Sequence, residues 1–160
     1  MSDIKGIEIE LLNGQKALIY PKYAEKQILT AEQIKKWVVS DETEIEALKV
    51  TDTVFATECL HYIDSPAAEW VSQFKYTKYS NFALPSLLAA MEIQYQKKEI
   101  DVLAETTEGA DLLRNFISVI WSCFRYYLGS CWCAYGKDGH AYHNYTDNAY
   151  LVVPTILYQS

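Results

Sequence analysis

The chain is short of positive charge, of glycine and proline, and of any long apolar run. Its 14 Lys and Arg stand against 21 Asp and Glu, giving a formal net charge of −7 and a pI near 4.9. Phosphate-rich partners need a concentrated field of basic side chains, so no nucleic acid is expected as a partner, and no anionic membrane surface either. No stretch approaches the roughly 20 apolar residues that a bilayer span requires, so membrane insertion is not expected. The first ten residues lack the basic start and apolar centre of a secretory signal, and folding in a cytoplasm is the expectation. Six glycines and four prolines in 160 residues make no linker or low-complexity tract. There are only four cysteines, Cys59, Cys123, Cys131 and Cys133. In a reducing compartment they are expected to be thiols that behave as small buried hydrophobes.

What is present is apolar and aromatic: 50% hydrophobic and 14% aromatic residues, ample for one packed core. Residues 1–160 are read as a single domain, with a charged, mostly helical first part and a weakly charged, β-like last part that begins near Asn115. Ile7, Ile9 and Leu11 alternate with Glu8 and Glu10. The chain then turns at Asn13-Gly14 and resumes at Ala17-Leu18-Ile19-Tyr20, which predicts a hairpin. Thr30 and Gln33 have capping-box spacing ahead of Ile34, Trp37 and Val38, so a short helix is expected there. Asp41 to Lys49 is a further helix candidate, and Val50 to Ile63 satisfies neither period. Ser65-Pro66 places an N-cap before a first-turn proline, predicting a helix from Ala67 to about Phe74. Leu87, Leu88, Met91 and Tyr95 fall at helical spacing, and Lys97 to Thr106 reads as a second, shorter helix. Beyond Phe116 the strand candidates are Ile117 to Cys123, Ser130 to Tyr135, His140 to Tyr145 and Ala149 to Tyr158. Turn residues separate them. The fold class is α+β: an N-terminal β-hairpin, several helices and a C-terminal antiparallel β-meander.

The last forty-six residues hold seven of thirteen tyrosines, three of four cysteines and two of three histidines, but only four charged side chains. Tyrosine gives a rigid amphipathic contact face at low rotamer cost, and Asn, Ser and Gly beside it supply adaptable hydrogen bonds. If Trp121 and Trp132 point inward, strand alternation sends Cys131, Cys133 and Tyr135 to the opposite face. The candidate ligand-binding residues are Tyr126, Tyr127, Tyr135, Tyr142, Asn144 and Tyr145. Tyrosine rings stack on pyranose faces or apolar protein patches while their hydroxyls take directional hydrogen bonds. Packing of the same tyrosines into a β-rich core or a subunit interface is the competing reading.

Catalytic and metal readings are weaker. Cys131, Cys133, His140 and His143 are zinc-ligand types, but Cys-x-Cys with His-x-x-His departs from the usual spacings. No basic or histidine-rich neighbour in sequence lowers the pKa of the Cys131 and Cys133 pair. Nucleophile elbow, phosphate-cradling loop and His-Glu-x-x-His helix are all missing. Glu42 with Glu44, and Glu105 with Glu108, read as solvated faces. Neither enzyme activity, a metal nor a cofactor is expected.

The order of elements resembles a known family. Leu84-Pro85-Ser86 at a helix head, a helical pair, Ile120-Trp121-Ser122-Cys123, a later strand with Trp132, a Lys-Asp-Gly turn and a terminal strand with Pro154 are similar to C-type-lectin-like domains of bacterial and phage proteins. That family carries Leu-Pro-Ser, Trp-Ser-Ser and Arg-Pro-Val motifs and is related in fold to formylglycine-generating enzymes and to the variable proteins of diversity-generating retroelements. The resemblance covers Asn81 to Tyr158. This chain has Cys123 where the family has the second Ser, and Val153-Pro154-Thr155 without the arginine. The calcium-binding loop motifs of sugar-binding lectins are also missing, so metal-independent binding is expected.

The resemblance implies that residues 81–160 form a lectin-like core with ligand-facing strands and loops, and that residues 1–80 are an attachment or oligomer part. Trp37, Trp70 and the Ile7 to Leu11 edge are its contact candidates, and core packing explains them equally well. It further implies a non-enzymatic structural protein of phage or Bacteroidetes type, such as a virion head or tail decoration. Such a protein resides in the virion, or in the host cytoplasm before assembly. Its partners would be a protein or glycan ligand, other virion proteins and further copies of itself as a homo-oligomer, and its last segment would be open to retroelement diversification. The alternative is a small intracellular enzyme or effector of the formylglycine-generating-enzyme-like fold.

Overall fold

The computed structural model describes residues 6–27, 66–74, 82–116, 118–127, 130–136, 138–145 and 150–158. The expected helices after Thr30 and Asp41, the ambiguous Val50 to Ile63, and Trp37, Glu42, Glu44, Cys59 and His61 lie outside them. The fold is α+β.

The hairpin forms where alternation puts it, with β1 (Ile7–Glu10) antiparallel to β2 (Lys16–Ile19) in the register Ile7 to Ile19. Ile7, Ile9 and Leu11 are buried while Glu8 and Glu10 face water, so core packing takes the apolar edge proposed for attachment. Gly14, at φ 87°, supplies the left-handed residue of the turn. Its N–H donates to the Leu11 carbonyl at 3.0 Å, and the Asn13 side chain accepts from the Gln15 N–H at 3.0 Å. β3 (Ala24–Gln27) follows.

Helix α1 (Pro66–Ser72) starts at the proline whose missing N–H costs nothing in a first turn. Helix α2 (Leu87–Tyr95) is capped by Ser86, whose Oγ accepts from the Ala89 N–H at 3.1 Å. Helix α3 (Lys97–Glu105) follows after Gln96. A 3-10 turn at Leu113–Asn115 is held by buried Asp101, whose two carboxylate oxygens accept from the Leu113 and Arg114 N–H groups at 2.7 and 3.1 Å.

The remaining strands are β4 (Val119–Tyr127), β5 (Ser130–Tyr135), β6 (His140–Tyr145), β7 (Tyr150–Val152) and β8 (Thr155–Tyr158). β4, β5 and β6 form the expected antiparallel meander. The stretch expected as one last strand is two, and they belong to different sheets. β7 lies between β3 and β4, parallel to β4, in the order β3-β7-β4-β5-β6, whereas β8 completes a second sheet in the order β1-β2-β8. Pro154 stands at the crossing, where its carbonyl accepts from the Tyr20 N–H at 3.0 Å. A proline has no N–H to give a ladder, so a continuous strand breaks there.

Strand alternation sorts the core into two clusters. Trp121, Cys133 and Val152 join Ala67, Ala68 and Val71 of α1. Ile120, Ala134, Leu151 and Val153 join Ala89, Ala90 and Ile93 of α2 and Ile100 of α3. Each Val, Ile or Leu side chain among them, once buried, contributes about 1.5–3 kcal/mol. Gln94, buried within α2, donates from Nε2 to the Ala134 carbonyl at 3.2 Å and so ties the helix to β5.

Candidate functional site

The β5–β6 hairpin carries the exposed aromatic surface. Its turn needs two left-handed residues, Gly136 at φ 77° and Gly139 at φ 69°, and the Gly136 N–H donates to the Ser118 carbonyl at 3.0 Å. Gly139 is constrained twice, because a Cβ there would also run into the Met91 carbonyl of α2. The register pairs Tyr135 with His140, Cys133 with Tyr142 and Trp132 with His143. Directly paired residues share a face, so Tyr135, Tyr142 and His140 lie on one side and Trp132 and His143 on the other.

Tyr135 and Tyr142 are 43% and 48% exposed, and their rings meet edge to face with centroids 5.4 Å apart. His140 lies 5.7 Å from Tyr135, and His143 stacks beside Tyr142 at 5.6 Å. The Asp138 carboxylate lies 3.9 Å from His140 Nε2. Two expected site residues are thus brought together. Tyr126 and Tyr127 are in β4 and Asn144 and Tyr145 in β6, but their side chains lie outside the described residues.

The face assignment of the tryptophans and cysteines needs correction. Trp121 pairs with Cys133, so it shares a face with the cysteines and opposes Trp132 across the sheet. Both tryptophans are buried, and so are Cys131 and Cys133, because both faces of β5 are covered up to Tyr135. Cys131 and Cys133 are free thiols packed in the core, as expected of reduced cysteines in that segment. The Cys131 thiol donates to the Ser122 carbonyl at 3.3 Å, and burial pushes the Cys133 thiol up to about 12. A thiol held neutral is a poor nucleophile and a poor metal ligand. His143 and the two cysteines are on opposite sides of the sheet, so the zinc set of four is not assembled by this hairpin. Among the described residues no three His, Cys, Asp or Glu side chains converge on one point.

A shallow groove of about 730 Å³ adjoins the turn and was not visible in the sequence. Its walls include Tyr95, Lys97, Lys98, Val102, Arg114 and Asp138, drawn from α2, α3, the 3-10 turn and the β5–β6 turn. Arg114 is engaged by Glu105 at 2.6 Å, and Lys97 donates to Ser118 Oγ at 3.3 Å. Tyr95 and Val102 are well exposed. Tyr95 ends α2 and Val102 lies in α3, so no single helical period joined them in the sequence.

Deeper in the fold, burial first and then the carboxylates of Asp101 and Asp111 push the Tyr23 phenol far above its ordinary range. Tyr23 packs edge to face on Phe116 at 5.6 Å and acts as a neutral core ring. Among the described residues no helix is long and apolar enough to cross a membrane. No family model matches this chain, and neither does any curated protein or solved structure.

Proposed function

We propose that this chain is a non-enzymatic binding module of lectin-like arrangement that presents the Tyr135 and Tyr142 face to a glycan on a receptor surface. The observation that carries the reading is the pair of half-exposed tyrosine rings, 5.4 Å apart, with the His140 imidazole beside Tyr135 on the same face of the hairpin. Two rings set at 66° to each other form an angled cleft, against which the C–H face of a pyranose gains area while phenol and imidazole groups take its hydroxyls. Carbohydrates are uncharged polyols, and this hairpin face carries one carboxylate and no lysine or arginine among its described residues, which favours neutral sugars.

The lectin-like arrangement is supported by the pairing of the N-terminal hairpin with the last strand, with helices and the long sheet enclosed between them. The resemblance to lectin-like domains of phage and bacterial proteins makes a virion decoration the role proposed for this module. The buried Cys131 and Cys133 support the binding reading over the oxidative enzyme, since thiols locked in a core are not offered to a substrate.

The test is an array of immobilised neutral oligosaccharides probed with the wild type and with the double variant Tyr135→Ala, Tyr142→Ala. Binding to a restricted set of sugars by the wild type, lost at least tenfold in the double variant, is expected. Equal signals from the two proteins, or none from either, would overturn the reading.

A further inference from the structure

We infer that the small cavity between the β1–β2 tip, α2 and the β5–β6 turn binds a primary ammonium group on an alkyl stem, with the Glu92 carboxylate as its counter-charge. A carboxylate withdrawn from water needs a cation or several hydrogen bonds, because desolvating a lone charge is costly. Glu92 is 9% exposed and belongs to the buried residues of α2. Its Oε2 accepts from Gln96 Nε2 at 2.8 Å. Among the described residues its Oε1 accepts no hydrogen bond, and no Lys, Arg or His forms an ion pair with it.

The carboxylate borders a cavity of about 330 Å³. Leu88, Met91, Glu92 and Tyr95 recur at helical spacing, so one face of α2 supplies the floor. Leu12 from the hairpin tip and Asp138 from the β5–β6 turn supply the sides. The three elements are fixed relative to one another. Gln96 Nε2 also donates to the Glu10 carbonyl at 3.1 Å, which ties the end of α2 to the hairpin. Gly139 sits so close to α2 that a Cβ there would run into the Met91 carbonyl. A site whose walls already stand in place loses little affinity to ordering them.

The ligand follows from these walls. Leu12, Leu88 and Met91 offer apolar area to a stem of a few carbons, the exposed Tyr95 ring adds a face that attracts a cation, and Glu92 Oε1 accepts an ammonium N–H. Asp138 is the weaker contact. It is exposed, lies 3.9 Å from His140 Nε2 and also borders the larger groove beside Lys97, Lys98 and Arg114. Among the described residues no basic side chain lines the smaller cavity. An anion would face two carboxylates there, and a neutral alcohol would leave Glu92 without a counter-charge. A chain at −7 also favours the approach of a cation over that of an anion. Head and stem of this kind are common to free alkylamines and to a lysine side chain. The site stands on its own walls and does not depend on the saccharide face proposed above.

Titration of the isotope-labelled full chain with n-butylammonium, followed through its amide chemical shifts, tests the inference. Saturable shifts at the amides of Tyr95 and Gly139 are expected, and n-butanol, a neutral analogue of similar size, is expected to bind about tenfold more weakly or worse. Glu92→Gln keeps the shape of the side chain and is expected to lose about tenfold in n-butylammonium affinity. Leu12→Ala, at an exposed position, is expected to lose about threefold. The double variant Tyr135→Ala, Tyr142→Ala is expected to bind n-butylammonium as the wild type does, so loss of saccharide binding and loss of ammonium binding are read separately. A blocked lysine amide that binds as well as n-butylammonium assigns the cavity to a lysine side chain of a partner, and one that is rejected while n-butylammonium binds assigns it to a free amine. No saturable shifts, equal affinity for n-butanol and n-butylammonium, or undiminished affinity in a folded Glu92→Gln overturns the inference. The alcohol comparison needs no variant and decides the matter if Glu92→Gln does not fold.

Discussion

β5 and β6 are neighbours of equal length, both rich in aromatic and small residues and both poor in charge, yet they live in different solvents. In Ser-Cys-Trp-Cys-Ala-Tyr, the residues from Cys131 to Ala134 are buried on both faces, and in His-Ala-Tyr-His-Asn-Tyr the Tyr142 ring is half exposed. The difference is position in the sheet. β5 has β4 on one side and α2 across a face, whereas β6 is the last strand, with one neighbour. Tyr135, at the end of β5, is 43% exposed although strands flank it on both sides, so a side chain here is core or surface according to what covers its face as well as how many strands flank it. Composition alone does not decide its role.

The largest way to break this contrast is to open the interior. Trp121→Ala removes a fully buried ring beside Cys133 and should cost ~3–5 kcal/mol in a urea denaturation series. Gly139→Ala attacks the turn that joins the two strands. Left-handed backbone and the Met91 carbonyl act together there, so a loss of about 2–3 kcal/mol is expected. Gly14→Ala has the same backbone strain with open space around it and should lose about 1 kcal/mol, which separates the two causes.

Cys133 imposes a pH dependence that grows with alkalinity. Its thiol is neutral in the fold up to about 12, against an ordinary value of 9.0 when unfolded. The contribution is therefore flat below the ordinary value. Above it the unfolded chain loses a proton that the folded chain keeps, and stability falls by about 1.4 kcal/mol per pH unit until the folded thiol also titrates. Urea midpoints of the wild type and Cys133→Val, compared between pH 8 and 10.5, should converge or cross as pH rises. At the exposed end of the scale, Tyr142→Ala should change stability by only about 0.5 kcal/mol. A stability loss in Tyr142→Ala as large as that of Trp121→Ala would erase the contrast between the strands.

Local chemistry made parts of this fold readable in advance. The hairpin was legible because Ile7, Ile9 and Leu11 alternate with glutamates around a glycine turn, and α2 because apolar residues repeat at helical spacing after Leu84-Pro85-Ser86, although the face it buries is that of Ala89, Ala90 and Ile93 and the Tyr95 end of the expected stripe is exposed. The limits of β5 and β6 were set by the glycines between them. The layering was not legible. Period-two alternation tells which residues of one strand share a face, as Cys131, Cys133 and Tyr135 do, but not whether that face is covered or which residues of the next strand join it, so the burial of the two cysteines and the presence of Trp121 on their face, opposite Trp132, were not legible. Nor does the sequence reveal that Asp101 caps a turn twelve residues away, or that Tyr95, Arg114 and Asp138 meet around one groove. Those contacts belong to the tertiary arrangement, and local periodicity carries no trace of them. Of the expected site, Tyr135 and Tyr142 form a described pair because their strand register brings them together diagonally.

The crossing at Pro154 has a consequence for how the molecule opens. Within four residues the chain leaves one sheet and enters the other: Leu151, Val152 and Val153 divide between the two core clusters, and Thr155 pairs at once with Ile19. Peeling β8 from the hairpin therefore pulls on β7, which lies in the interior of the long sheet. The two sheets are mechanically in series at this point, so native-state hydrogen exchange should find the amides of β2 and β4 opening in a single cooperative unit.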